Sequence, residues 1–203
     1  MPQNPRLVAR LTAALGIAAL AVGLAACTPD PVAEQYREGG DTGYIAGEQL
    51  IQEFPAADRG EPVVWEGVTE HGEKLSSEDL AGQVVVVNFW YATCAPCRVE
   101  AADLQKVYDE FKDDGVSFVG VNTFDQADQA RSFAEEFGIT YPSIIDVDDA
   151  TVKLAFAAET PISATPTTLV IDKQGRVAAR ILSMIESPSI LSTLVKDALA
   201  EKA

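Results

Sequence analysis

Val84-Val85-Val86-Val87-Asn88-Phe89-Trp90-Tyr91-Ala92-Thr93-Cys94-Ala95-Pro96-Cys97 is the stretch that decides the fold. Val84 to Trp90 is a nearly continuous β-branched and aromatic run, the pattern of a strand buried on both faces. From Pro96 to about Lys112, apolar residues recur at Val99, Ala102, Leu104, Val107, Tyr108 and Phe111, the stripe of an amphipathic helix. The two cysteines stand where strand gives way to helix. Unpaired N–H groups and the helix dipole stabilise a thiolate at such a place. A lowered pKa makes Cys94 nucleophilic near neutral pH. Pro96 donates no N–H, which is harmless in a first turn. Cys97, about one turn on, is spaced to attack a mixed disulfide formed at Cys94. Cys94 is therefore the expected attacking thiol and Cys97 the resolving one.

Three plainer readings compete. A purely structural disulfide closing so short a loop constrains the unfolded chain little. A zinc site needs four ligands, and the chain offers no second cysteine pair and only His71. The last is an inert pair of buried thiols.

Working outward, Val116 to Val121 reads as another buried strand after Gly115, and Gln126 to Phe137 as a helix closed by Gly138. Ser143 to Asp146 is a short strand and Ala150 to Ala157 a helix. Thr167 to Ile171 and Arg176 to Leu182 flank a hairpin turn at Asp172-Lys173-Gln174-Gly175. Ser187 to Lys202 is a last helix with Pro188 in its first turn. Upstream, Pro62 to Thr69 and Lys74-Leu75 read as two strands around a turn at Glu70 to Glu73, followed by a short capped helix over Ser76 to Leu80. The order implies an α/β fold with a right-handed parallel crossover and a hairpin that makes the sheet mixed. His71 is expected to be solvated, Trp65 and Trp90 to be packing residues, and Asp146, Asp148 and Asp149 to form a solvated loop rather than a metal site.

Asn88 to Glu100 resembles the active-site segment of the TlpA/ResA branch of the thioredoxin superfamily. Thr165-Pro166-Thr167 resembles the cis-proline segment that faces the CxxC in that fold, and Asp172 to Arg176 the hairpin after it. The resemblance runs from about Pro62 to the C-terminus. It implies a thioredoxin-like mixed sheet flanked by helices, with an added N-terminal β-hairpin. It implies a cis bond before Pro166, with the Thr165 backbone left to pair with an extended substrate. Glu100 lies three positions after Cys97 on the same helix face. By resemblance it sits near the active site and exchanges a proton with Cys97; without it, Glu100 reads as a solvated helix residue. Thioredoxins carry a buried Asp where this chain has Asn88, which cannot titrate. Trp usually stands where this chain has Thr93, a departure that bears on substrate preference and redox potential.

The N-terminus is a targeting segment. Arg6 and Arg10 precede an apolar run from Leu11 to Ala26, broken only by Thr12. It ends in Leu24-Ala25-Ala26-Cys27, which resembles a bacterial lipoprotein signal with Cys27 as the lipid attachment site. Simple secretion with cleavage near Ala26 and an uncleaved membrane anchor are the alternatives. With Cys27 lipidated, the three cysteines resolve into one anchor and one redox pair. The expected organisation is a signal over residues 1–26, a largely irregular lipidated tether over 27–57, and a thioredoxin-like domain over 58–203. The apolar patches Tyr44-Ile45 and Leu50-Ile51 are candidates to dock on that domain. The net charge of -16 becomes -18 when the two arginines leave with the signal. Such a surface repels phosphate backbones and argues against nucleic-acid binding.

The expected activity is dithiol–disulfide exchange on protein thiols and disulfides at the extracytoplasmic face of the membrane, without a bound cofactor or metal. The resemblance implies reductive work there, such as keeping apocytochrome c haem-site thiols reduced, with electrons from a membrane thiol carrier. A disulfide-forming oxidase would use the same residues with opposite poise. A thiol peroxidase expects a Pro-x-x-x-Thr-x-x-Cys context, which Cys94 lacks. A copper chaperone and a non-catalytic binding module are the remaining classes.

Overall fold

The computed structural model describes residues 50–201. The signal segment, Cys27 and the Tyr44-Ile45 patch lie outside the described residues. In chain order the elements are β1 (Ile51–Glu53), β2 (Glu66–Val68), β3 (Lys74–Ser76), β4 (Val84–Trp90), α1 (Ala95–Phe111), β5 (Val116–Asn122), α2 (Ala127–Phe137), β6 (Ser143–Ile145), α3 (Thr151–Ala157), β7 (Thr167–Ile171), β8 (Val177–Ile181) and α4 (Pro188–Ala200).

The run that opened the sequence reading becomes the middle of the molecule. All seven residues of β4 are buried. The strand pairs parallel with β5 on one side and antiparallel with β7 on the other. The six-stranded sheet has the order β1-β8-β7-β4-β5-β6. Alternate β4 side chains feed two cores. Val84 and Val86 meet Leu104 and Phe111 of α1 and Leu191 and Val195 of α4 on one face. Val85, Val87 and Phe89 meet Trp65, Val152 and Phe156 on the other. This is the expected thioredoxin-like mixed sheet flanked by helices.

β2 and β3 form the expected N-terminal hairpin. Its tip docks against β6: Thr69 bridges to Ile144, and the Glu70 N–H donates to the Ser143 carbonyl at 2.9 Å. The Ser143 N–H in turn donates to Glu70 Oε2 at 2.8 Å. Gly67 permits that approach, because a Cβ there would collide with the Ile144 side chain. Gly120 does the same inside the sheet. A Cβ there would meet the Ser143 hydroxyl, and the Trp90 Nε1 at 2.7 Å. Gly120→Ala is expected to destabilise the fold by about 1–3 kcal/mol, the usual cost of overpacking. Urea unfolding at neutral pH checks it, and a midpoint equal to wild type would show that the strands part easily.

Several expectations are corrected. The Leu50-Ile51 patch docks, as it was a candidate to do, but as part of an edge strand ahead of residue 58: Ile51 pairs with Ile181, and Gln52 with Arg180. Three residues with one half-buried side chain carry too little pattern to read as a strand. The following segment is pinned by Arg59, which bonds Asp172 at 2.8 Å and Glu201 at 2.6 Å. Ser76 to Leu80 makes turns, not a helix. Ser76 ends β3 in an extended backbone, and the Asp79 carboxylate takes its N–H at 2.9 Å and its hydroxyl at 2.6 Å. So short a segment does not meet the cost of helix nucleation. The buried stripe of α1 is Cys97, Glu100, Ala101, Leu104, Val107 and Phe111, while Val99 is 67% exposed and Ala102 is exposed. The inward-facing Cys97 sets the phase of the helix. Asp146 is buried, not solvated. Its two oxygens accept the N–H groups of Val152 and Lys153, each at 2.9 Å, and so cap α3. Asp148, Asp149 and His71 are exposed, and Trp65 and Trp90 are buried, as expected.

Candidate active site

β4 carries the chain to Trp90, four residues turn away from the sheet, and α1 begins at Ala95. Cys94 is the N-cap of α1, with extended backbone angles. Its Sγ accepts the Cys97 N–H at 3.2 Å. The first turn holds no acidic residue to oppose a thiolate. Cys94 and Cys97 are joined in a disulfide, with Sγ atoms 2.03 Å and Cα atoms 5.3 Å apart. Both are buried, at 2% and 3% exposure. When the bond is reduced, the same N–H and the same helix end stabilise a Cys94 thiolate.

The peptide bond between Thr165 and Pro166 is cis. It places the Thr165 carbonyl oxygen 3.9 Å from Cys94 Sγ, although 71 residues separate them in the chain. Thr167 follows as the first residue of β7, and its hydroxyl donates to the Ala164 carbonyl at 2.7 Å. The segment expected to face the CxxC does face it.

Glu100 lies one turn beyond Cys97 and is fully buried. Its Oε1 accepts from Asn88 Nδ2 at 3.0 Å, and its Oε2 from the Ile185 N–H at 2.9 Å. Burial pushes its pKa up to about 7, and the two donors only partly offset that push. Asn88 Nδ2 also donates to Thr168 Oγ1 at 3.0 Å, directly across the β4–β7 ladder. Behind Cys97 lies a cavity of about 10 Å³, room for about one water. Asn88, Trp90, Tyr141 and Ser143 contribute to its wall. Asn88 therefore touches the carboxylate on one side and the cavity beside Cys97 on the other. Burial, and after it the charge of Glu100, raises the Tyr141 phenol well above its ordinary range.

Cys94, Cys97, Thr165 and Pro166 are thus brought together, with Glu100 just beneath. Cys27 lies outside the described residues. Thr93 is exposed beside the pair. Two participants escaped the sequence reading. Thr168 carried a faint signal, as one of two hydroxyls opening an otherwise apolar strand. The Ile185 amide carried none, because a backbone donor 85 residues from its carboxylate leaves no mark in side-chain type.

The profile of the AhpC/TSA family matches residues 56–180. Among curated proteins, the thiol-disulfide oxidoreductase ResA of Bacillus subtilis is 30% identical over 107 residues, 53% of this chain and 57% of that protein. The thioredoxin-like protein YneN of the same organism is 35% identical over 111 residues, 53% of this chain and 61% of its own. The chain thus spans little more than half the length of these relatives. A crystal structure of a DsbF homologue from Corynebacterium diphtheriae superposes with a TM-score of 0.65 at 31% identity, covering 76% of this chain and 96% of that one. A secreted thiol-disulfide isomerase from Corynebacterium glutamicum gives 0.67 at 29% identity, covering 78% and 96%.

Proposed function

The chain belongs to the AhpC/TSA family, and from that premise we propose that it is an extracytoplasmic, membrane-anchored thiol–disulfide oxidoreductase acting on protein substrates. The observation that carries this reading is the Cys94–Cys97 disulfide at the N-terminus of α1, with the Thr165 carbonyl beside its first sulfur. A substrate disulfide is attacked by the Cys94 thiolate. One substrate sulfur joins Cys94 and the other leaves as a thiolate. Cys97 then attacks Cys94, which releases the reduced substrate and closes the disulfide. Thr165 offers its backbone to an extended substrate segment. Residues 1–26 are the signal, Cys27 carries the lipid, and the chain after it forms the tether. This organisation is supported by the basic start, the apolar run and the one cysteine outside the redox pair.

The direction we propose is reductive. Glu100 supports it, because where this buried carboxylate is ionised, above a pH of about 7, it penalises a thiolate nearby, which destabilises the reduced form and makes it the stronger electron donor. Apocytochrome c thiols are suitable substrates and a membrane thiol carrier a suitable donor. A second reading, a disulfide-forming oxidase, is favoured by the Cys97 N–H on Cys94 Sγ, which stabilises the thiolate. The equilibrium reduction potential, titrated in a thiol–disulfide buffer, separates them. We expect a value at or below about -270 mV, the thioredoxin range. A value near about -120 mV, the range of a strong oxidant, would reverse the direction.

A further inference from the structure

The loop between β4 and α1 is held by a side chain from another loop. The last rung of the β4–β5 ladder pairs Trp90 with Asn122. The Thr123 N–H still reaches the Trp90 carbonyl at 3.1 Å, and then the chains diverge toward α1 and α2. Where the next rung would fall, the Ala92 N–H donates to the carboxylate of Asp125 at 2.5 Å. That carboxylate is itself fixed. Asn122 Nδ2 donates to the same Oδ2 at 3.0 Å, and Asn122 Oδ1 accepts the N–H groups of Asp125 at 2.7 Å and Phe124 at 3.1 Å. Asn122 is fully buried and half-buried Asp125 leans on it.

The carbonyl of Ala92 is met from the opposite direction. Arg98 Nη1 approaches it at 3.4 Å, and Arg98 is steadied by Glu136 at 2.7 Å and by the Phe137 ring at 4.7 Å. Cys94 then donates its own N–H back to the Tyr91 carbonyl at 3.2 Å. Both polar groups of the Ala92 backbone are therefore gripped two residues ahead of the sulfur whose place in the helix cap depends on this loop. A charged acceptor on a backbone N–H is one of the strong hydrogen bonds.

We infer that Asp125 is a positioning residue for Cys94: its bond to the Ala92 N–H holds the loop so that the Cys94 sulfur stays under the Cys97 N–H. The inference rests on the proposed exchange chemistry for its purpose, but its geometry stands alone. Two effects of Asp125 oppose one another. Its hydrogen bond places the sulfur to receive the helix N–H, which favours the thiolate. Its negative charge disfavours the thiolate.

Substitutions separate the two. Asp125→Ala removes hydrogen bond and charge. Asp125→Asn removes the charge but keeps an amide oxygen that accepts from Ala92. The readout is alkylation of Cys94 by iodoacetamide in the reduced full-length protein, followed from pH 5 to 10 by mass spectrometry of the peptide containing Cys94. With Asp125→Ala, the inflection of the profile moves to higher pH and the rate at pH 7 falls about three- to tenfold, as expected when the thiolate fraction drops and nucleophilicity partly compensates. With Asp125→Asn, the inflection stays or moves to lower pH and the rate at pH 7 is kept or raised. If both variants move the profile to lower pH, Asp125 acts by charge alone and the inference fails. If neither moves it while unfolding midpoints fall, the residue is merely structural and the inference fails. Should Asp125→Ala not fold, Asp125→Ser, whose hydroxyl is too short to reach the Ala92 N–H, is read in its place: a shift to lower pH, or none, overturns the inference. Iodoacetamide needs no protein partner, so a failure of the proposed exchange with protein substrates is read separately.

Discussion

A Cys94→Ser protein is expected to lose disulfide exchange to the uncatalysed background, a fall on the order of a thousandfold or more, because a serine hydroxyl is un-ionised where a thiolate is the required nucleophile. Cys97 cannot take over. It lines the internal cavity with Asn88 and Trp90, and it is Cys94, not Cys97, that stands beside the Thr165 carbonyl. A Cys97→Ser protein behaves differently. It still attacks, but nothing resolves the product, so the substrate stays bonded to Cys94. Insulin reduction followed by turbidity measures the first loss. Non-reducing gels of cell extracts, with bands that collapse on adding reductant, reveal the trapped adducts of the second. A Cys94→Ser protein that reduces no insulin yet keeps its function in cells would count against the exchange mechanism as its role and favour a non-catalytic binding module.

Glu100→Gln is expected to slow the resolving step by about a hundredfold, the lower range for one positioned proton acceptor. Above a pH of about 7 the wild-type carboxylate is ionised and, in the proposed role, accepts the Cys97 proton; below it the group is already protonated. The wild-type rate of mixed-disulfide release therefore rises with pH through about 7, and in Glu100→Gln that inflection is absent. The same residue makes a stability prediction. Its folded pKa of about 7 lies above the ordinary 4.5, so the folded state binds the extra proton between those values. The contribution is fully present below pH 4.5 and is lost as pH rises through 7, a change of about 3 kcal/mol. Urea titrations at pH 5 and pH 8 should show that loss in wild type and a flatter response in Glu100→Gln. Equal slopes in the two proteins would mean that Glu100 is ionised throughout.

The frame of the fold was legible because its central elements are long and uniform. Seven buried residues in a row made β4, Gly138 with a positive φ of 68° closed α2, and the Thr-Pro-Thr segment announced itself by resemblance. The failures are local elements whose partners lie far away. β1 exists because β8 offers it an edge, and three residues say nothing of that. Asp146 read as loop polarity until α3 supplied two N–H groups for it to cap. At the site, the cysteines were legible from spacing, but the loop that holds them was not. Asp125 is one acid among many in an acidic chain and nothing in the sequence singles it out, because its grip on Ala92 arises only where β4 and β5 part company. Glu100 was legible as a position on a helix face, whereas its complete burial required Asn88 and Ile185 to converge on it.

The hairpin that docks on β6 also governs how the protein meets its own copies. The rim of a sheet is a row of open backbone groups, and a bare rim invites strands from other molecules and fibrillar growth. Along β6, Thr69 and Glu70 occupy that row, and the Glu70 side chain takes the amide that backbone pairing alone would leave. The opposite rim is β1, only three residues long and bearing the acidic Glu53. A short, charged rim on one side and a plugged one on the other leave little template for self-association.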